Sequence, residues 1–505
     1  MIIDSHVHFP AGCERENAPG RRLVRSALPY GIGACVVSHL FGERMGADLH
    51  FPVSEGIHAA NCLAAREVSR NPGRLHFMGY INPQNPDWMQ EFEWCLAHGA
   101  CGIKLWVSLK DSRGSLGNTV SVLRSAATAG KAVYLHVFNR TGGNLPGEIT
   151  MAELAELAQT VPDCRMIAGH TGGNWRKSAE LIARCPDNVW METGGSNPDF
   201  GMVDGILKFC PPERLIYGSD GPGRAFFPQI WKIMESALSP ADRERVFLRN
   251  AMHLLNLPHP PAIDALPAKS RRVPGPSATD FCCFCGNYPF EARPDITPDA
   301  LESLLEKEGV RKAYAADFGA IFSGGSYDSN RTFLTACRHL SRVKPLAVIH
   351  PRNPNRERLL KEIESAPAWK GIWLSPAFHT WRLDASAHAE FLRRCAAVGK
   401  PLFINCGFYE PRFFSPELPF REVSDDELRA FLREIAPVSR IIQGKLPLAD
   451  AGGFPNVLWC ATQLTDYGHA LSDAMRRYPT PRLVRGSEFP FRHIRETLAA
   501  ARFRM

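Results

Sequence analysis

Residues 1–9 read MIIDSHVHF, with His6 and His8 two positions apart. On a β-strand such residues share one face, so both imidazoles project together from the end of a first strand. Short apolar runs of the same kind recur along the chain and carry polar residues at or near their ends. ACVVSH ends at His39, HFMGYIN at Asn82, GIKLW carries Lys104 and AVYLHVFN carries His136. RMIAGH ends at His170, NVWMET holds Glu192, and RLIYGSD ends at Asp220 before RNAMHLLNL, which reads as a closing helix. Amphipathic stretches separate the runs, the pattern of βα units around a parallel sheet. Eight such units in about 255 residues match a (β/α)8 barrel.

After Leu257 the chain enters PHPPAIDALPAKSRRVPGPSATD, rich in Pro and Ala and without periodicity, which reads as a linker over 258–277. Then the pattern restarts. GKAVYLHVF returns as GKPLFINCG, GIKLW as GIWLS, RMIAGHT as RIIQGKL and RLIYGSDGP as RLVRGSEFP. SHVHF returns as CCFCG, which pairs His6 and His8 with Cys283 and Cys285. The offsets fall between 268 and 277 residues, a spread of the size loops absorb. The expected architecture is α/β with two tandem TIM-like (β/α)8 barrels descended from one ancestor. They cover residues 1–257 and 278–505. The second barrel has Trp373, Asn405, Lys445 and Glu488 where the first has Lys104, His136, His170 and Asp220. A tryptophan and an ammonium cannot ligate a cation, so the same metal site cannot exist there, and Cys283 and Cys285 read as core.

At 45% hydrophobic and 22% charged residues the composition is that of a globule, which excludes disordered and fibrous readings. A net charge of +7 over 505 residues, with no dense basic block, favours a small acidic partner over nucleic acid. No apolar run approaches the ~18 residues of a membrane span. Fifteen cysteines without a secretion signal are expected to be reduced thiols of a cytoplasmic protein.

The ends of barrel strands are where catalytic groups converge. His6, His8, His136, His170 and Asp220 offer the imidazole and carboxylate groups that Zn2+ and its first-row relatives, Mn2+ among them, take. In DSHVH, the His after strand five, AGHTGG, YGSDGP and the closing RNAMHLLNL, the first half resembles the amidohydrolase superfamily. The branch is the amidohydrolase-related one that includes aminocarboxymuconate semialdehyde decarboxylase. The resemblance implies that His6, His8, His136 and Asp220 hold the metal. It also implies that His170 polarises the substrate or shuttles protons. A metal-bound water near pKa ~7 would supply the nucleophile, with Asp220 moving its proton.

Lys104 reads as a substrate-carboxylate binder or as an ammonium paired with a buried acid such as Glu192; carboxylation to bridge two metals is the less favoured alternative. Arg140, Arg176 and Arg224 follow His136, His170 and Asp220 on the same rim and together point to an anionic substrate. His39 and Asn82 at strand ends either bind substrate or anchor loops. The expected function is metal-dependent hydrolysis of an amide, lactone or related carbonyl in a small acidic substrate. Non-oxidative decarboxylation of an aromatic or unsaturated acid is the alternative, and a non-catalytic scaffold the third reading. The expected assembly is a monomer whose second barrel stands in for a subunit, or a homodimer.

Overall fold

The computed structural model describes residues 1–10, 12–40, 51–140, 142–195, 200–263, 278–290, 296–384, 386–407, 414–435, 440–460, 462, 477 and 482–494. Two compact units emerge, Met1–Ser270 and Arg271–Met505. Residues 264–277 of the expected linker lie outside the described residues.

In the first unit eight parallel strands follow chain order around one sheet: β1 (Ile2–His8), β2 (Ile32–Ser38), β3 (Leu75–Ile81), β4 (Gly102–Leu105), β5 (Ala132–Leu135), β6 (Met166–Ala168), β7 (Val189–Glu192) and β8 (Leu215–Ile216). Every apolar run picked out in the sequence is a strand. The ring closes where the Ser5 N–H donates to Tyr217 O at 3.1 Å, the Asp220 N–H to His6 O at 2.8 Å and the His8 N–H to Gly221 O at 2.6 Å. Ile3, Val36, Met78, Tyr134, Ile167 and Ile216 fill the inside, and Leu254 and Leu255 of the closing helix, with Leu248 just before it, seal it from below. The other strand faces, with Val7, Leu105, Leu135 and Met166, pack outward in the larger cluster shared with the surrounding helices. This is a TIM barrel of the α/β class.

One detail of β1 decides where the histidines point. Asp4 pairs with Cys35 and Val7 with Val37, so three residues on β1 span two on β2. This bulge re-aims the strand. Ile3 belongs to the interior, yet beyond the bulge it is His6 and His8 that turn inward while Val7 turns out. Asp4 secures the turn, accepting from the His6 N–H at 3.2 Å and the Ser219 N–H at 2.9 Å.

The second unit carries a three-stranded and a six-stranded parallel sheet: β9 (Ala278–Cys285), β10 (Val310–Asp317) and β11 (Val343–Pro345), then β12 (Ala347–Val348), β13 (Ile372–Leu374), β14 (Leu402–Asn405), β15 (Arg440–Gln443), β16 (Val457–Cys460) and β17 (Leu483–Val484). The two arcs join through the Leu346 N–H to Ala315 O at 2.9 Å. They join again through the Phe281 N–H to Arg485 O at 2.7 Å and the Phe284 N–H to Phe489 O at 2.8 Å.

The pairing of His6 and His8 with Cys283 and Cys285 is corrected by one residue. Ala313 pairs with Asp280 and Ala315 with Cys283, a bulge of the same kind, and Asp280 accepts from the Cys282 and Ser487 N–H groups as Asp4 does from His6 and Ser219. The counterparts of His6 and His8 are therefore Cys282 and Phe284. The letters align SHVHF with CCFCG, whereas the bulge and its buried carboxylate fix the register. Aromatic side chains fill much of the mouth: Phe284 stacks on Phe318 with centroids 4.9 Å apart and meets Trp373 at 5.5 Å and Phe491 at 5.9 Å, while Glu488 is buried against Arg492 at 3.2 Å. Lys445 turns aside to Val423 O at 2.7 Å and Asp425 at 2.8 Å.

Asp280 supplies a stability test. Burial pushes its carboxyl up from 3.8 to about 6, against the pull of its hydrogen bonds to Ser487 and Cys282. A raised folded-state pKa means that the folded chain binds this proton more tightly than the unfolded chain. The group's contribution is full below pH ~4 and is lost as pH rises through 6, roughly 3 kcal/mol in all. Asn at this position still accepts both backbone N–H groups. The stability of wild type relative to Asp280→Asn, from urea unfolding, is expected to fall by about that amount between pH 4 and 7; a pH-independent difference contradicts this.

Candidate metal centre

Beyond the bulge, the His6 and His8 Nε2 atoms lie 2.9 Å apart. Asp220 Oδ1 is 3.2 Å from His8 Nε2 and 3.6 Å from His6 Nε2. Asp220 reaches this point because its backbone adopts φ 62°, in the left-handed region, directly after the closing strand. Around the two imidazoles everything else is fixed. His8 Nδ1 is held by Ser38 O at 2.9 Å, and His6 Nδ1 by the Tyr134 hydroxyl at 2.8 Å. That hydroxyl also reaches Glu192 Oε2 at 2.8 Å. Outer partners of this kind set the tautomer, leaving Nε2 of each ring for a cation.

Glu192 is fully buried and accepts from Tyr134, from the His170 N–H at 2.9 Å and from the Gly194 N–H at 2.5 Å. It is not the partner of Lys104, as the sequence suggested. Instead the Lys104 ammonium lies 3.6 Å above the Tyr134 ring and 3.2 Å from His6 Nε2, and no carboxylate is within ion-pair distance of it among the described residues. Burial pushes Lys104 down to about 7, with Asp220 and Glu192 opposing.

The electrostatics of the cluster suit a divalent cation. Burial, together with Lys104, holds the His6 imidazole well below its usual value, and burial does the same for His170. Burial pushes the Asp220 carboxyl up, but the His8 hydrogen bond and the surrounding imidazoles outweigh it and hold the group well below the carboxylate range. Two imidazole nitrogens beside an ionised carboxylate, all within 3.6 Å of one another, form a donor set that a first-row divalent ion fits.

His136 is the member of the expected ligand set that this cluster does not gather in. Its Nε2 faces Glu148 Oε1 at 2.9 Å, and Arg140 clamps the same carboxylate with bonds of 2.8 and 3.0 Å. The Leu145 N–H adds a further bond to Glu148, which is fully buried. A buried, charge-assisted hydrogen bond occupies that nitrogen, and the same carboxylate takes Arg140 away from the substrate role expected of it. Burial pushes Glu148 up, yet its bonds to His136 and Arg140 bring it to about 2.

The His170 ring stands 5.1 Å from the rings of both His6 and His136. It is presented by a left-handed backbone at φ 58°. A Cβ at Gly195 would strike its Nδ1, so only glycine fits there.

Asn82 anchors a loop: its amide donates to Pro52 O and Asn85 Oδ1, each at 3.0 Å, and its oxygen accepts from the Gln84 N–H at 3.0 Å. His39 Nε2 engages Glu14 at 2.7 Å. Arg176 donates to Phe200 O at 3.3 Å and lies over the Trp175 ring. Arg224 stays at the mouth, nearly buried, its N–H on Asp220 O at 3.1 Å. Asp4, Tyr134 and Glu148 are not among the candidate residues of the sequence, and Glu192 enters there only as an acid at a strand end. Tyr134 and Glu192 do sit on strands already recognised, so their inward positions were readable from strand alternation.

A closed parallel barrel with two imidazoles and a carboxylate at its mouth defines the metal-dependent (β/α)8 enzymes. The amidohydrolase family model matches residues 3–257. The chain belongs to that family, as an enzyme of the amidohydrolase superfamily. Solved structures similar to it include 2,6-dihydroxybenzoate decarboxylase from Rhizobium, at 17% identity and a TM-score of 0.40, covering 51% of this chain and 98% of that one. A dihydroxybenzoic acid decarboxylase from Polaromonas sp. JS666, with bound manganese and the inhibitor 2-nitroresorcinol, shows 17% identity and a TM-score of 0.42, covering 51% and 97%. A candidate 2-pyrone-4,6-dicarboxylic acid hydrolase from Pseudomonas putida shows 16% identity and a TM-score of 0.36, covering 51% and 97%. Among curated proteins none matches the chain.

Proposed function

We propose that the first unit is a metal-dependent hydrolase acting on an amide, lactone or related carbonyl of a small acidic molecule. His6, His8 and Asp220 would hold the metal, Zn2+ by donor type and Mn2+ as the alternative. When bound, such an ion polarises a carbonyl and makes water nucleophilic at neutral pH.

The observation that carries hydrolysis over decarboxylation is the position of Lys104. Its ammonium lies 3.2 Å from His6 Nε2, without a carboxylate partner among the described residues. In its protonated form that group stabilises negative charge that develops on a carbonyl oxygen during addition. A carboxylate leaving as neutral CO2 loses charge as it reacts, so the same cation stabilises its ground state more than its transition state. His170 stands close enough to His6 to pass a proton to a leaving group, and Arg224 contributes positive charge at the mouth.

The test uses the full chain loaded with Zn2+ or Mn2+ and a panel of lactones, amides and hydroxybenzoates in 18O-labelled water. Mass spectrometry is expected to find product carrying label from solvent. CO2 release without label incorporation overturns the hydrolase reading in favour of decarboxylation.

The second unit we read as a non-catalytic copy of the first. The shared bulge, the Asp4/Asp280 pairing and the left-handed Asp220 and Glu488, at φ 62° and 56°, support that reading. Fifteen free thiols agree with a reducing, cytoplasmic setting, and no helix among the described residues is long and apolar enough to cross a membrane.

A further inference from the structure

A second group of metal-ligating atoms lies in the first unit and shares no residue with the centre above. Cys13 opens a short helical turn after β1, Glu14 follows it, and His39 stands immediately after β2. One ligand atom from each falls within 4.8 Å of the other two. Cys13 Sγ is 3.8 Å from His39 Nε2, and Glu14 Oε1 is 2.7 Å from the same nitrogen. Cys13 and His39 are buried, while the Glu14 side chain is 24% exposed and gives the cluster an opening to solvent.

Two features mark the cluster as more than a loop anchor. The first is that thiol and carboxylate meet at one imidazole nitrogen. A nucleophile–base–orienter relay uses the two ring nitrogens separately, so this is not a cysteine triad. Convergence on one point is what a cation requires. The second is that Glu14 Oε2 is buried without a hydrogen-bond partner. The single Glu14–His39 bond therefore leaves polar capacity unused in a place where an unpaired group is costly.

We propose that Cys13, Glu14 and His39 bind a second divalent cation of the zinc type. Tetrahedral bonds of roughly 2.0–2.3 Å set ligand atoms about 3.3–3.6 Å apart. The Cys13–His39 spacing of 3.8 Å is near that range, and the Glu14–His39 contact of 2.7 Å has only to widen from a hydrogen bond. The thiolate selects Zn2+ or Cd2+ over Mg2+ and Ca2+, which take oxygen ligands. Three protein ligands leave the fourth position open.

The test titrates the full-length, metal-stripped protein with Cd2+ and follows both stoichiometry and the ultraviolet thiolate–Cd2+ charge-transfer absorption. Wild type is expected to bind two equivalents and to show the absorption. Cys13→Ala is expected to lose one equivalent and the absorption, and His39→Gln, which can still donate to Glu14, to lose them as well. Asp220→Asn is expected to lose one equivalent but keep the absorption, and Cys62→Ala, which removes a half-buried thiol beside His58, to change neither. No absorption in wild type, or absorption and stoichiometry unchanged in Cys13→Ala, overturns the proposal.

Discussion

Asp220→Asn is expected to lower turnover by about 1000-fold or more, the loss seen when one member of a tightly coupled catalytic group is removed, and to strip the protein of the metal bound at its first centre. The substitution is chosen because it leaves the fold alone. Asn is the residue after glycine that best tolerates a left-handed backbone, and Asp220 sits at φ 62°. Its N–H keeps the bond to His6 O at 2.8 Å that closes the barrel. What disappears is the negative charge 3.2 Å from His8 and 3.6 Å from His6. Circular dichroism unchanged, metal analysis one equivalent lower and activity at background is the expected set of results. Retained turnover would remove Asp220 from the centre.

Gly218→Ala is expected to cost the first unit about 3 kcal/mol, at the upper end of overpacking penalties. A Cβ there would fall on the Glu192 carboxylate and come within 2.7 Å of the His6 Cβ. Neither neighbour can give way cheaply: Glu192 is pinned by three donors and His6 by Tyr134. A loss of this size lowers the thermal midpoint of a unit this large by roughly 6–12 °C. Gly142→Ala is the control, since nothing lies within 4 Å of its Cβ position, and its midpoint should stay within a degree or so of wild type. Equal midpoints for the two variants contradict the packing described.

The eight strands of the first barrel were legible because apolar runs ending in polar residues report directly on a buried parallel strand. His6, His8 and Asp220 were legible because their spacing along strands one and eight follows that same pattern. The bulge in β1 was not, since the Asp4 carboxylate that stabilises it does so by bonding the Ser219 N–H, far along the chain. Capture of His136 by Glu148, twelve positions further along, depends on how the chain folds back, which residue order alone does not disclose. For Lys104 the sequence leaves a substrate-binding role and a pairing with a buried acid such as Glu192 both open, whereas an aromatic face and an imidazole surround it. In the second unit, the letter match pairs His6 and His8 with Cys283 and Cys285, one position beyond the register that the Asp280 bulge sets.

The aromatic filling of the second mouth separates two kinds of mutational sensitivity that coincide in most enzymes of this shape. In the first unit a change at the strand ends touches side chains that line the candidate metal centre and registers as lost turnover in a protein that still folds. In the second, Phe284, Phe318 and Phe491 occupy the corresponding rim and lie 0–1% exposed, so the equivalent changes register as lost solubility and shortened lifetime. A saturation scan scored for abundance and for activity side by side would trace that boundary along one polypeptide.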